Sequence, residues 1–188
     1  VVLVSLFCVS VSAAEVSLFD GKTLDGWKGK ADLWSVKNGA IVGSTGAKGI
    51  RSNTFLVSEN SYENYILKLK FRFNGKGNSG INLRAIPDKT RRRAFQAYHV
   101  DIGHVGIGKQ VLGACDFHTP GRREHACFRG DRLVIDKNDK PTLTKIKDAV
   151  TLDDINKGGW NELHVIVKGN NFKFYINGKL SSEFTENL

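Results

Sequence analysis

The residues best suited to chemistry lie in the stretch Tyr98-His99-Val100-Asp101-Ile102. Side chains of an extended strand alternate between its two faces, so Val100 and Ile102 are expected in the core and His99 and Asp101 on the opposite face. A carboxylate and an imidazole on one face can serve as general base and general acid. The pattern therefore predicts an acid–base site on one face of a strand.

A second stretch supplies polar groups of another kind. Glycines at 75, 77 and 80 precede Ile81-Asn82-Leu83-Arg84. Alternation buries Ile81 and Leu83 and places Asn82 and Arg84 on the other face. An amide beside a guanidinium suits a ligand that is rich in hydroxyls or carries a carboxylate. A plain hairpin turn is the alternative interpretation of the glycine-rich part.

The same alternation, applied to Gly113-Ala114-Cys115-Asp116-Phe117, turns Asp116 away from the core. If the strands are neighbours, one cleft contains Arg84, His99, Asp101 and Asp116. Clefts flanked by carboxylates are typical of glycosidases. The spacing thus favours general acid–base chemistry of the kind that glycosidases use.

A metal site is a second interpretation of the same region. Four of the five histidines fall between positions 99 and 125. A divalent cation could be held by a set of candidate ligands consisting of His99, Asp101, His104 and His118. Their spacing matches no established zinc pattern. His164 alternates with apolar residues and is expected to be a structural histidine of a sheet.

The elements that must position these groups are short strands. Apolar residues alternate with polar ones over 65–73, 98–102, 163–167 and 172–176, and Asn-Gly turns follow at Asn38-Gly39 and Asn177-Gly178. Residues 103–141 are expected to be irregular and basic. Because no stretch sustains helical periodicity, the sequence predicts an all-β fold, an antiparallel β-sandwich.

Length and charge limit the classes of protein that fit. The chain has 188 residues, 40% of them hydrophobic, and a net charge of +9. We expect one domain over residues 15–188 with an incomplete C-terminal strand. The arginines at 91–93, 122–123, 129 and 132 could meet an anionic surface or an acidic polysaccharide, or could belong to a solvated loop. Nucleic acid is not an expected partner, because no aromatic residues are interleaved with these arginines.

The N-terminus predicts an exported protein. Residues 1–14 are apolar and uncharged and end in Ser12-Ala13-Ala14, as in the apolar region and cleavage site of a signal peptide. We interpret them as a partial signal peptide and expect a periplasmic or extracellular location. No other run reaches the roughly 20 apolar residues that a membrane span needs. After export, Cys115 and Cys127 could form a disulfide or remain two buried thiols.

Three ordered motifs resemble the 3-keto-disaccharide hydrolase domain family. They are Leu18-Phe19-Asp20-Gly21 with Trp27, then Gly77-Asn78-Ser79-Gly80-Ile81, and finally Gly159-Trp160-Asn161-Glu162 followed by Asn177-Gly178. The resemblance spans about residues 16–186. It implies a concanavalin A-like jelly-roll sandwich, export, and action on 3-keto-glycosides made by a partner oxidoreductase.

The resemblance also implies site residues, and two positions depart from the family pattern. Many members have a glutamine where His99 stands and a second acidic residue where Phe117 follows Asp116. Because Phe117 replaces the second acidic residue, Asp101 is the carboxylate expected to be catalytic, with His99 and Asp116 as further catalytic candidates. The substrate contacts expected on these motifs are Asn78, Asn82, Arg84, Arg122 and Arg123.

Two functions follow as expectations. The first is an exported hydrolase that cleaves 3-keto-glycosides, by elimination and then hydration. The second is a non-catalytic, lectin-like module that holds a glycan through Asn82, Arg84, Trp27 or Trp34. A cleft of His, Asp and Arg favours the enzyme, whereas a cleft lined by tryptophans favours the lectin.

Overall fold

The computed structural model describes residues 15–73, 78–90, 94–103, 113–117 and 125–187, with residues 115–117 described by their backbone. These residues contain no helix, and therefore none that is long and apolar enough to cross a membrane. They form the strands β1 (Trp27–Lys28), β2 (Trp34–Lys37), β3 (Ala40–Gly43), β4 (Val57–Ser58), β5 (Tyr65–Phe71), β6 (Gly80–Pro87), β7 (Phe95–Asp101), β8 (Cys115–Phe117), β9 (Asp131–Ile135), β10 (Pro141–Lys145), β11 (Asn161–Lys168), β12 (Asn171–Ile176) and β13 (Lys179–Glu186).

The chain divides into two compact units, one that ends at Ser61 and one that begins at Tyr62. In the first unit, β1 pairs with β4 and β2 pairs with β3, both antiparallel. The β2–β3 hairpin turns at Asn38 and Gly39, with φ of 49° and 72°. Both values are positive, as the Asn-Gly signal for a tight hairpin requires. That one domain covers residues 15–188 stays a prediction.

The second unit contains two sheets. The larger has six strands in the order β10-β9-β13-β12-β11-β5, and the smaller has three in the order β6-β7-β8. All neighbouring strands are antiparallel except β13 and β9, which run parallel. The expectation that residues 103–141 are irregular is wrong for β8 and β9, and β10 begins at Pro141. Strand β9 alternates Leu133 and Ile135 into the core and begins at Asp131, whose carboxylate bonds to Lys145 of β10.

Aromatic side chains join the two sheets in one core. The rings of Phe172 and Phe184 on the larger sheet are fully buried and stack with centroids 4.3 Å apart. Tyr98 of β7 lies 4.5 Å from the first ring and 5.4 Å from the second. Burying one such side chain contributes roughly 1.5–3 kcal/mol. The prediction of an all-β antiparallel sandwich is confirmed.

Cys127 is a buried free cysteine. Its Sγ lies 3.3 Å from the carbonyl oxygen of Asp131 and 3.5 Å from that of Glu183. The sulfur therefore packs among backbone carbonyls of the larger sheet. Of the two alternatives for this residue, the structure shows the thiol.

Candidate functional site

The candidate site lies on the smaller sheet, where β7 is the central strand. Gly80 pairs with Asp101 and Asn82 pairs with His99 across β6 and β7, and His99 pairs with Asp116 across β7 and β8. Val100 is fully buried and Ile102 is nearly so. The predicted alternation is therefore confirmed, and it places His99 and Asp101 on the face away from the core. They are about 7 Å apart along the strand.

Asn82 and Gly80 determine the orientation of the His99 ring. Nδ1 of His99 lies 2.7 Å from Oδ1 of Asn82. On the other side, the Cε1–Nε2 edge of the ring covers Gly80 so closely that a Cβ there would overlap it. The absence of a side chain at position 80 gives the imidazole its place on the sheet. Nδ1 thus faces Asn82, and Nε2 faces the end of the strand pair at which Asp101 lies.

Asp101 closes a tight turn at that end. Its Oδ1 accepts a hydrogen bond of 2.6 Å from the backbone N–H of Gly103, which is buried. A Cβ on Gly103 would lie 2.5 Å from Oδ1 of Asp101 and 2.9 Å from Oδ1 of Asn78. Both oxygens are therefore directed at the same side of Gly103. The structure brings the exposed Asn78, Asp101 and the Nε2 edge of His99 together at one end of β6 and β7.

The larger sheet supports the backbone of Asp101. Gly113 N–H donates to the Asp101 carbonyl at 2.7 Å, and Asp101 N–H donates to the Ala114 carbonyl at 2.9 Å. The Gly113 carbonyl accepts from the hydroxyls of Ser181, at 3.1 Å, and Ser182, at 2.6 Å. Both serines are fully buried. Sequence reasoning missed them, and the polar run Ser181-Ser182-Glu183 between Leu180 and Phe184 gives no local sign that these hydroxyls are buried.

Arg84 does not lie beside Asn82, and its predicted placement is wrong. The β6–β7 register shifts between Leu83 and Ile86, and Arg84 has a φ of 49°. Such a bulge interrupts the strict alternation of side chains. The guanidinium donates to the carbonyl of Glu63 at 2.8 Å and lies 5.2 Å from the ring of the core residue Phe172. That Arg84 contacts a substrate stays a prediction.

The environment of Arg84 also affects a neighbouring phenol. Burial raises the pKa of Tyr65 on β5 to about 12, and the positive charge of Arg84 opposes part of that rise. Desolvation disfavours the phenolate more than the nearby cation favours it. Tyr65 therefore stays protonated at neutral pH and acts as a packing residue.

Several predicted residues lie outside the described part of the chain. These are His104, His118, Arg122 and Arg123, together with the side chain of Asp116. Among the described residues, no group of three or more His, Cys, Asp or Glu could hold a metal ion. His125, from the same histidine-rich region, forms a 2.9 Å contact with Oδ1 of Asp139. A metal site at His99 and Asp101 stays a prediction.

The two tryptophans considered for a lectin are used in packing within the first unit. Nε1 of Trp27 donates to the carbonyl of Leu18 at 2.7 Å. The ring of Trp34 lies so close to Gly43 that a Cβ there would be 2.8 Å from its Cζ3. Both indoles are partly buried, and His99 and Asp101 share one face of β7. By the criterion drawn from the sequence, this arrangement favours the enzyme.

Comparison with known proteins gives a family and a fold. The family model for the 3-keto-alpha-glucoside-1,2-lyase-like domain matches residues 14–188. A crystal structure of a candidate glycosyl hydrolase from Parabacteroides distasonis ATCC 8503 is similar, with a TM-score of 0.55 and 19% sequence identity. The match covers 89% of this chain and 71% of that one. No curated protein matches this chain.

Proposed function

Because the chain belongs to the family of 3-keto-alpha-glucoside-1,2-lyase-like domains, we propose that it cleaves 3-keto-glycosides on the face of β6 and β7 that carries His99 and Asp101. The protein acts after export, in the periplasm or outside the cell. Its substrate is supplied by an oxidoreductase that oxidises C3 of a glycoside. A carbohydrate-related function agrees with the similar crystal structure, which is described as that of a candidate glycosyl hydrolase.

The chemistry follows from the keto group. A carbonyl at C3 acidifies the hydrogen on C2, so a base can remove it as a proton. The Asp101 carboxylate takes this proton while the C1–O bond breaks and a C1–C2 double bond forms. The departing glycosidic oxygen receives a proton from the His99 imidazolium. Water then adds to C1, and Asp101 returns its proton to C2 while His99 accepts one from the water, so that the net reaction is hydrolysis.

One observation carries this proposal: the face of β7 opposite the core presents a carboxylate and an imidazole two residues apart. Elimination needs both a base and an acid, and this face supplies one of each. A two-carboxylate glycosidase would require a second carboxylate at a defined separation of about 5–5.5 Å or about 6.5–9.5 Å. The sequence offers histidines, not acids, at positions 99 and 104.

The test compares 3-keto and ordinary glucosides, each as the methyl and the p-nitrophenyl glycoside, with and without a chelator. We expect turnover of the keto compounds only, with a primary isotope effect when C2 carries deuterium. Nitrophenolate leaves without protonation, so His99→Ala should impair the methyl glycoside far more than the nitrophenyl one. Cleavage of ordinary glucosides at equal rates would contradict elimination, and glycan binding without any turnover would favour the lectin-like module.

A further inference from the structure

Asn82 and His99 form a pair whose geometry has a consequence for proton transfer. Their side chains face each other across β6 and β7, with Nδ1 and Oδ1 2.7 Å apart. An amide oxygen only accepts hydrogen bonds, so the histidine nitrogen that meets it must carry the hydrogen. A neutral His99 in this contact is protonated on Nδ1 and has its lone pair on Nε2.

The direction of Nε2 agrees with this assignment. The Cε1–Nε2 edge covers Gly80, which is the cross-strand partner of Asp101. At the same end, the Asp101 and Asn78 oxygens are directed at Gly103. Nε2 is therefore the ring nitrogen on the side of the other polar groups, whereas Nδ1 is turned towards the middle of the sheet. A proton that His99 exchanges with a sugar would pass through Nε2.

We infer that Asn82 is a positioning residue, which holds His99 in the Nδ1–H tautomer so that Nε2 carries the proton that reaches the leaving oxygen. The part of this inference that names the leaving oxygen as the proton acceptor rests on the proposed function. The tautomer itself can be measured without any substrate. Partners that fix the tautomer and orientation of metal-ligating histidines contribute about 10- to 100-fold to metal affinity or activity, and we expect an effect of the same size for His99.

The first measurement is made on the unmodified protein labelled with ¹⁵N-histidine. Two-bond and three-bond ¹H–¹⁵N correlations identify which ring nitrogen carries the hydrogen, and the spectrum of His99→Gln identifies the signal of His99. We expect Nδ1 to be protonated at alkaline pH, where the imidazole is neutral. A hydrogen on Nε2 in the unmodified protein would overturn the inference.

Two matched variants extend the test. Asn82→Asp keeps an oxygen acceptor in the same place and should keep the Nδ1–H tautomer. Asn82→Leu has a similar volume without an acceptor, so the Nδ1–H preference should disappear. Turnover of the methyl 3-keto-glucoside should then fall by about 10- to 100-fold in kcat, with KM little changed and the nitrophenyl compound spared. An unchanged tautomer and kcat in Asn82→Leu would refute the role of Asn82.

The two proposals fail separately. If the unmodified protein turns over no 3-keto-glycoside, the proposed function is wrong, and the ¹⁵N spectrum still decides whether Asn82 sets the tautomer. If turnover is present but His99 carries its hydrogen on Nε2, the function stands and the inference about Asn82 falls. Because the first spectrum uses the unmodified chain, the result does not depend on whether a variant folds.

Discussion

Replacing Asp101 by asparagine or by alanine separates a chemical role from a structural one. The carboxylate has two tasks in the proposed scheme: it accepts the proton from C2, and its Oδ1 accepts the 2.6 Å hydrogen bond from Gly103 N–H. Asparagine keeps an oxygen for the turn but has no carboxylate to take a proton. Alanine loses both. Comparison of the two variants therefore shows which task matters for turnover.

The expected magnitudes follow from these contacts. In Asp101→Asn, a charge-assisted hydrogen bond becomes a neutral one, which costs about 1 kcal/mol of unfolding free energy. In Asp101→Ala, the buried N–H of Gly103 loses this acceptor, which costs about 1–3 kcal/mol. For a chain of this size, each 1 kcal/mol lowers Tm by about 2–4 °C. Loss of the base should lower kcat for 3-keto-glucosides by about 10² to 10⁴ in both variants.

The assay is steady-state turnover of the methyl and nitrophenyl 3-keto-glucosides, with thermal unfolding followed on the same samples. Both compounds should be affected equally, because the same base removes the C2 proton from each of them. Near-normal turnover of Asp101→Asn would remove Asp101 from the chemistry. If only Asp101→Ala lost activity, in step with its Tm, the carboxylate would be a structural part of the turn.

Three further predictions concern the scaffold. Gly113→Ala should lower the free energy of unfolding by at least about 1–3 kcal/mol, because its φ is 76° and the new Cβ would overlap Oγ of Ser181. The control is Gly178→Ala, where φ is 80° but the space around the new Cβ is open, so that only the backbone strain is introduced. Equal losses in urea unfolding would contradict the overlap. Phe172→Ala should cost about 3–5 kcal/mol in the same assay, since its ring is fully buried between the sheets, and a loss below 1 kcal/mol would mean that the sheets do not pack there. Hydrogen bonds from Lys179 and Thr151 lower the pKa of Asp154 from 3.8 to about 2. The ionised carboxylate therefore stabilises the fold at neutral pH, and this stabilisation is lost as the pH falls from about 4 to about 2. Asp154→Asn should weaken the pH dependence of urea unfolding between pH 4 and 2, and an unchanged pH profile would exclude the pair as its source.

The sequence by itself determined which groups share a face of β7. The alternation of Tyr98, Val100 and Ile102 has a period of two, and a shift by one residue would bury His99 and Asp101 while exposing the apolar side chains. Since burying an unpaired carboxylate costs several kcal/mol, only one register is favourable, and the alternation in the sequence predicts which one. The same reasoning predicted the antiparallel sandwich, because each strand has one apolar face that needs a partner.

Only the tertiary structure decided what lies next to these groups. The bulge after Leu83 turns the Arg84 side chain towards Glu63 and Phe172, and the local sequence pattern does not predict this bulge. The contact of Asn82 with His99 depends on the β6–β7 register, and the support of Asp101 depends on serines 68 and 69 residues away from Gly113. Periodicity is a local property that assigns faces, whereas neighbours are chosen by the packing free energy of the whole sandwich.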